Sequence, residues 1–291
     1  MYRNYDQAAL DAQYDLRKAF PHATEFIETW DRESLRVRES LPCRLDVAYG
    51  PSPGETLDIF PPAPAAATTA APDGAPVNVF IHGGYWRALD KQGFSFVAEP
   101  LVAAGSAVVV INYALAPSVT VGRIVGQVRE AVAWSYRNAG SFGGDPERLY
   151  VSGHSAGGHL TAMAMTHDWS AEAELPADPI KGGCAISGVF DLEPVRLCYL
   201  NDEVRLDEQA VRDNSPLHRV APGGGPLVVA VGGGETDEFL RQSAEFAAAW
   251  SAGGNPGSHL VLPGLDHFSI MAELAGAGGA LTRAILAQMG L

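Results

Sequence analysis

Lysine and cysteine are scarce in this sequence of 291 residues, and the charge is strongly of one sign. Only three lysines occur, and 34 acidic against 20 basic residues give a net charge of −14. Because phosphate recognition depends on clustered lysine and arginine, this balance argues against a nucleic-acid partner. The three cysteines, Cys43, Cys184 and Cys198, have no CxxC spacing. The sequence therefore indicates neither a disulfide framework nor a zinc knuckle.

Signals for secretion or membrane insertion are also missing. The N-terminal stretch MYRNYDQAALDAQYDLRK carries charges throughout. No window approaches the run of about 18 uncharged apolar residues that a membrane span requires. We therefore expect no membrane partner and, by default, a cytoplasmic location.

Strand-like and helix-like segments alternate through most of the chain. Continuous apolar runs predict strands buried on both faces, at 77–82, 107–113, 149–153, 182–188 and 226–233. Helix-like stretches lie between and after them, at 90–104, 120–140, 157–168, 236–252 and 268–289. This alternation predicts one α/β domain over 1–291, with a mainly parallel sheet flanked by helices.

The remaining segments suggest additions to this core. Apolar residues at helical spacing predict two surface helices within 1–42 that form an N-terminal cover. Alternating residues at 43–49 and 56–60 predict a hairpin of half-buried strands. The low-complexity stretch 61–76 predicts an exposed flexible loop, and 189–222 is long enough for a short lid.

A serine stands between two glycines in the stretch VSGHSAGG, which begins at Val151. With 17 serines and 32 glycines, chance gives about 0.2 occurrences of GxSxG, so the motif alone is weak. The neighbouring elements make the motif more informative, because a predicted buried strand precedes it and a predicted helix follows it. Gly153 and Gly157 permit the strained turn of a nucleophile elbow, which makes Ser155 the candidate nucleophile. The alternative is a glycine-rich turn with an incidental serine.

A second glycine turn, in the sequence HGGYW, follows the strand at 77–82. The backbone amides of Gly83 and Gly84 can approach a substrate oxygen there, and with the amide of Ala156 they predict an oxyanion hole. The next two side chains, Tyr85 and Trp86, could line a substrate pocket and stack on an aromatic group. Alternatively, they pack against the N-terminal helices.

The acid and base of a hydrolase would follow the serine in the order acid, then histidine. His267 lies in a turn after a strand and opens the last predicted helix, so it is the candidate base. Three carboxylates follow the strand at 226–233, namely Glu235, Asp237 and Glu238. The residues alone leave the choice among these three acids open.

Seven stretches together resemble the kynurenine formamidase (arylformamidase) group of α/β-hydrolases, which is related to the hormone-sensitive-lipase-like esterases. They are HGGYWRALDKQGFSFVAEPLVAAG, VVVINYALAP, GHSAGGHL, SGVFDLEPV, DNSPL, VGGGETDEFLRQS and LPGLDHFSI. The resemblance runs from about residue 77 to the C-terminus and extends to 5–41. It implies the α/β-hydrolase fold and a triad of Ser155, Glu235 and His267, with the acid three positions beyond Gly232. Many members carry aspartate at the acid position, so Asp237 stays an alternative.

The resemblance also implies an activity. It is that of a serine hydrolase that converts N-formyl-L-kynurenine to L-kynurenine and formate through an acyl-enzyme, without a cofactor, in tryptophan catabolism. A short-chain carboxylesterase and a noncatalytic ligand-binding homologue are the alternatives. His154 and His159 are five apart and no HExxH spacing occurs, so no metal site is predicted. The expected partner is a small formamide or ester, and a homodimer is left open.

Overall fold

A computed structural model describes residues 2–63, 74–172 and 174–291, which build a central twisted sheet. Its strands are β1 (Arg44–Ala48), β2 (Thr56–Phe60), β3 (Ala75–Ile81), β4 (Ala107–Ile111), β5 (Gly144–His154), β6 (Ile180–Ile186), β7 (Leu227–Gly232) and β8 (Gly257–Leu262). Their order is β1-β2-β4-β3-β5-β6-β7-β8. Pairs from β4 to β8 are parallel, whereas β2 is antiparallel to β1 and β4. The prediction of a mainly parallel sheet is confirmed.

Helices pack on both faces of this sheet. They are α1 (Gln7–Tyr14), α2 (Leu16–Ala19), α3 (Ala23–Ser40), α4 (Ala98–Ala103), α5 (Val121–Asn138), α6 (Ala156–Met165), α7 (Glu193–Leu197), α8 (Asn201–Val204), α9 (Glu208–Asn214), α10 (Asp237–Ala252) and α11 (Ala280–Met289). Helix α5 buries Val121, Ile124, Val125 and Val128 on one face, which is the spacing of an amphipathic helix. None of the helices in the described ranges has the length and apolarity that a membrane crossing requires.

Several predicted elements differ from the observed ones. Of the two strands predicted to be half-buried, β2 is almost fully buried, whereas β1, at the edge of the sheet, is mostly exposed. The N-terminal region holds three helices instead of two, since the Asp15 side chain accepts the Lys18 amide and starts α2 separately. The last predicted helix is divided into a 3-10 helix at Ser269–Leu274 and the separate helix α11.

Two further predictions concern the segment 189–222 and the loop at 61–76. The segment 189–222 contains α7, α8 and α9, with Phe190, Leu192 and Leu200 fully buried. Its action as a lid stays a prediction. Residues 75 and 76 of the predicted flexible loop at 61–76 instead begin strand β3, and 64–73 lie outside the described residues.

The sheet places the candidate residues at one edge. Gly83 follows β3, Ser155 follows β5, Glu235 follows β7 and His267 follows β8. Because these strands are parallel, their carboxyl ends meet at the same edge, where open α/β sheets bind ligands.

Candidate active site

Ser155 occupies a strained turn between β5 and α6. Its φ of 58° and ψ of −120° lie in a region that residues with a side chain rarely adopt. A Cβ atom on Gly153 would stand 2.4 Å from the carbonyl oxygen of Gly157, and one on Gly157 would stand 1.9 Å from that of Ile81. Both flanking positions therefore exclude any side chain, as a nucleophile elbow requires. The Ser155 amide donates to the carbonyl oxygen of Ile186, the last residue of β6, at 2.8 Å, and this bond fixes the turn.

The imidazole of His267 is bonded to a buried carboxylate. Its Nδ1 lies 2.7 Å from Oε2 of Glu235, and the two side chains are only 2% and 0% exposed. The other oxygen of Glu235 accepts from Ser187 Oγ at 2.5 Å and from the Gly232 amide at 2.8 Å. An ionised carboxylate can only accept, so Nδ1 carries the proton. In the neutral ring, Nε2 is then free to act as a base.

The other two candidate acids are engaged elsewhere. Asp237 is exposed and begins α10, where a negative charge interacts favourably with the helix dipole. Glu238 is buried and pairs with Arg241 at 2.7 Å. The geometry therefore selects Glu235 as the partner of His267.

Three backbone amides near Ser155 were predicted to form an oxyanion hole. In the described part of the chain, the amides of Gly83, Gly84 and Ala156 donate to no protein acceptor. Ala156 is the first residue of α6, so its amide has no intrahelical partner. A Cβ atom on Gly83 would lie 3.0 Å from Cβ of Ser155, so only glycine leaves this approach open. Their function as an oxyanion hole stays a prediction that this arrangement supports.

The turn that carries Gly83 is held by a pair of stacked rings that sequence reasoning missed. His82 Nδ1 donates to the Gly83 carbonyl at 2.7 Å, and the His82 ring stacks on Tyr113 with centroids 4.2 Å apart. The Tyr113 hydroxyl donates to the His82 carbonyl at 2.9 Å. Burial lowers the pKa of His82. The sequence offered a signal for this contact, since His82 and Tyr113 stand just after the neighbouring parallel strands β3 and β4.

The two aromatic residues after the glycines have different positions. Tyr85 lines a cavity beside Ser155, and its hydroxyl donates to the Tyr14 carbonyl of α1 at 3.0 Å. Trp86 is fully buried, and its Nε1 donates to Nδ1 of His159 at 3.1 Å. The prediction that Trp86 lines the substrate pocket is therefore wrong, because the indole N–H bonds to this core histidine and the ring does not border the cavity.

Ser155 and His267 line a cavity of about 460 Å³. This volume lies in the usual range for small-molecule sites. Four aromatic side chains also line it, namely Trp30, Tyr85, Tyr199 and Phe268. The Trp30 ring, from α3, stacks on Phe268 with centroids 6.1 Å apart. The cavity therefore offers flat apolar walls next to the candidate nucleophile.

Charged side chains line the same cavity. Arg87 pairs with Glu203 of α8, and the Asp15 carboxylate accepts the Lys18 amide. Arg17 also lines the cavity, and among the described residues no carboxylate pairs with it. A cation is thus available to an anionic group of a ligand, in a protein whose net charge is −14.

The described residues contain no group of three or more His, Cys, Asp or Glu side chains that could hold a metal ion. The two histidines near the elbow bond to backbone instead. His154 Nε2 lies 2.8 Å from the carbonyl oxygen of His267, and His159 Nε2 lies 2.7 Å from that of Asn214. The contact of His154 with the candidate base was missed by sequence reasoning, since it joins residues 113 positions apart.

Comparisons with known proteins show the family and the fold of this chain. The BD-FAE family matches residues 57–249. A kynurenine formamidase of Danio rerio is 34% identical over 88% of this chain and 85% of its own length. Esterase LipC of Mycobacterium tuberculosis is 31% identical over 77% of this chain and 59% of its own length. A Silicibacter sp. TM1040 protein, provisionally described as a thioesterase, superposes with a TM-score of 0.82 at 28% identity, covering 95% of this chain and 98% of that one.

These matches agree with the sheet order and its flanking helices. The predicted α/β-hydrolase fold is confirmed. The predicted resemblance to the kynurenine formamidases is confirmed as well.

Proposed function

Because this chain belongs to the BD-FAE family and to the kynurenine formamidase group of α/β-hydrolases, we propose that it hydrolyses an aryl formamide through Ser155, with N-formyl-L-kynurenine as the substrate. That it is a hydrolase follows from its relatives. The observation that carries the proposal is the buried hydrogen bond between Glu235 and His267, next to a serine at a strained elbow.

The first half of the reaction forms a formyl-enzyme. Ser155 Oγ attacks the formyl carbon while His267 Nε2 takes its proton. Glu235 holds the imidazole in the required tautomer and stabilises the imidazolium. The three free amides beside Ser155 stabilise the negative oxygen of the tetrahedral intermediate.

Collapse of the intermediate then breaks the C–N bond. The leaving nitrogen takes the proton from His267 and departs as the arylamine. A water molecule, deprotonated by the same imidazole, attacks the formyl ester of Ser155. Formate leaves as the second product, and the serine oxygen regains its proton from His267.

The cavity walls support the choice of substrate. An aryl ring fits between the aromatic side chains, of which Trp30 and Phe268 are stacked on one another. The α-carboxylate of kynurenine suits Arg17, which has no carboxylate partner among the described residues. The α-ammonium group suits Asp15 or Glu203.

A short-chain carboxylesterase is the second candidate function. The similarity to esterase LipC over 77% of this chain favours it. The same serine, histidine and free amides would cleave an ester by the same steps.

Parallel assays with N-formyl-L-kynurenine, p-nitrophenyl acetate and p-nitrophenyl butyrate distinguish the two functions. We expect kcat/KM for the formamide to exceed that for the better ester by about tenfold or more, because only the formamide substrate carries, beside an aryl ring, the amino-acid group that the charged side chains of the cavity match. Fast ester hydrolysis without detectable formate release from the formamide would overturn the proposal and support the esterase.

A further inference from the structure

His154, the residue before the nucleophile, is a histidine to which the mechanism above gives no function. Its side chain is nearly inaccessible, with 3% of the residue exposed, yet it lines the cavity together with Ser155 and His267. Its ring centroid lies 4.7 Å from that of His267. A polar ring in this position can contact both the base and a bound substrate.

The structure fixes the hydrogen-bonding state of this ring. Its Nε2 lies 2.8 Å from the carbonyl oxygen of His267. A carbonyl oxygen only accepts, so Nε2 carries a hydrogen. Burial, followed by the neighbouring His267, lowers the pKa of His154 well below its usual range, so the ring is neutral. A neutral ring with a hydrogen on Nε2 has an acceptor lone pair on Nδ1.

This acceptor faces the oxyanion turn. A Cβ atom built on Gly83 would stand 3.5 Å from Nδ1 of His154 and 3.0 Å from Cβ of Ser155. Nδ1 therefore lies close to the Gly83 turn, in a residue that lines the cavity beside the nucleophile. Within the described part of the chain, no hydrogen-bond donor reaches it.

We propose that Nδ1 of His154 accepts the N–H of the scissile formamide, and that this bond makes the site prefer formamides to esters of the same shape. The inference rests on the proposed formamide hydrolysis. It makes His154 a residue that determines specificity, in addition to its contact with the loop of His267.

The chemistry of the leaving group explains the preference. When Ser155 adds to the formyl carbon, the nitrogen loses conjugation, and its lone pair must turn toward His267 to take a proton. The hydrogen already on nitrogen then points away from His267, and a buried N–H without an acceptor is costly. His154 would accept that hydrogen, which stays on the nitrogen as the C–N bond breaks and the amine leaves. An ester oxygen carries no hydrogen and gains nothing from this acceptor.

Two substrates and two variants test the inference. Formanilide and phenyl formate differ only by N–H against O at the scissile bond. In His154→Gln, the side-chain NH2 can still donate to the His267 carbonyl, but nothing replaces Nδ1. In His154→Asn, the side-chain oxygen can stand near the Nδ1 position, while the bond to His267 is lost.

We expect His154→Gln to lower kcat/KM for formanilide about tenfold more than for phenyl formate, because one hydrogen bond in the transition state is lost. His154→Asn should lower both values by similar factors. The exposed control His22→Gln should leave the ratio of the two values as it is in the wild type. Because the ratio does not depend on the fraction of folded enzyme, it remains informative for a poorly folding variant.

An unchanged ratio in His154→Gln would overturn this inference alone, provided that the wild type cleaves formanilide. Wild-type protein that cleaves phenyl formate but neither formanilide nor N-formyl-L-kynurenine would instead overturn the proposed function. The two failures are therefore distinguishable.

Discussion

Glu235 is held by three donors that use both of its oxygens. Ser187 and the Gly232 amide bond to one oxygen, and His267 bonds to the other. A carboxylate fixed in this way keeps the imidazole in one tautomer and in one orientation. The exposed Asp237, two residues later, has no comparable setting.

This difference predicts unequal effects of two similar substitutions. Glu235→Gln keeps the size of the side chain but replaces an acceptor by an amide, so we expect kcat for N-formyl-L-kynurenine to fall by about 10² to 10⁴. Asp237→Asn removes only a favourable interaction at the start of α10, and kcat should fall by less than about tenfold. Steady-state kinetics of the two folded variants provide the measurement, and the opposite ranking would assign the acid to Asp237.

Single residues were predictable where a local motif names them. Ser155, Gly83 and Glu235 each follow a strand in a recognisable pattern. In the structure, Ser155 and Gly83 line one cavity, and Glu235 bonds to His267 at its border. Ser187 and His154 were missed because their importance comes from contacts across 48 and 113 positions. The position of Trp86 was predicted wrongly because the sequence of a turn does not determine the direction of the side chains that follow it.

Strands and helices were predictable where the burial of apolar side chains alone determines the residue pattern. The central strands are covered on both faces, so nearly every residue of β3 and β4 is apolar and the pattern is visible locally. The buried face of α5 recurs at helical spacing for the same reason. Strand β2 looked half-buried because it carries Asp58, which is in fact fully buried and pairs with Lys91 at 2.8 Å.

The interruption of the last predicted helix has a steric cause. A Cβ atom on Gly279 would stand 2.0 Å from the Glu273 carbonyl oxygen, so the chain turns back on itself there. The Glu273 carboxylate then accepts the Ala280 amide at 2.5 Å and starts α11. Three glycines between 276 and 279 were a signal for this break, but the periodic apolar residues on both sides concealed it.

The molecule as a whole assembles its cavity from distant parts of the chain. The N-terminal helices contribute Arg17 and Trp30, and the segment 189–222 contributes Tyr199 and Glu203. Neither segment contains a sequence motif that indicates its contribution to the cavity lining. The division of the chain into one domain with a cover and a lid, its cytoplasmic location and its oligomeric state stay predictions.

Buried histidines should make the whole molecule sensitive to acid. Burial lowers the pKa of His159 to about 4 and lowers that of His154 well below its usual range. The unfolded chain therefore binds protons below pH 6.5 that the folded chain does not, and stability must fall as the pH falls. We expect the titration of His159 to lower the free energy of unfolding by about 2 kcal/mol between pH 7 and pH 5, and that of His154 to lower it further, as measured by urea denaturation.

Two variants separate this effect from general acid sensitivity. His159→Gln removes one of the histidines whose pKa burial lowers, so the stability of the variant should fall less steeply with falling pH than that of the wild type. His22→Gln, on the exposed surface, should keep the full dependence. Equal unfolding free energies of the wild type at pH 7 and pH 5 would contradict the account.

Formate release from N-formyl-L-kynurenine by purified wild-type protein and by Ser155→Ala tests most directly whether Ser155 is the nucleophile of a formamide hydrolase. Because the members of a catalytic triad act as one unit, we predict that the variant folds normally and loses about 10⁴ to 10⁶ in kcat. If folded Ser155→Ala turned the substrate over within about tenfold of the wild-type rate, the serine at the elbow would not be the nucleophile and the account would be contradicted.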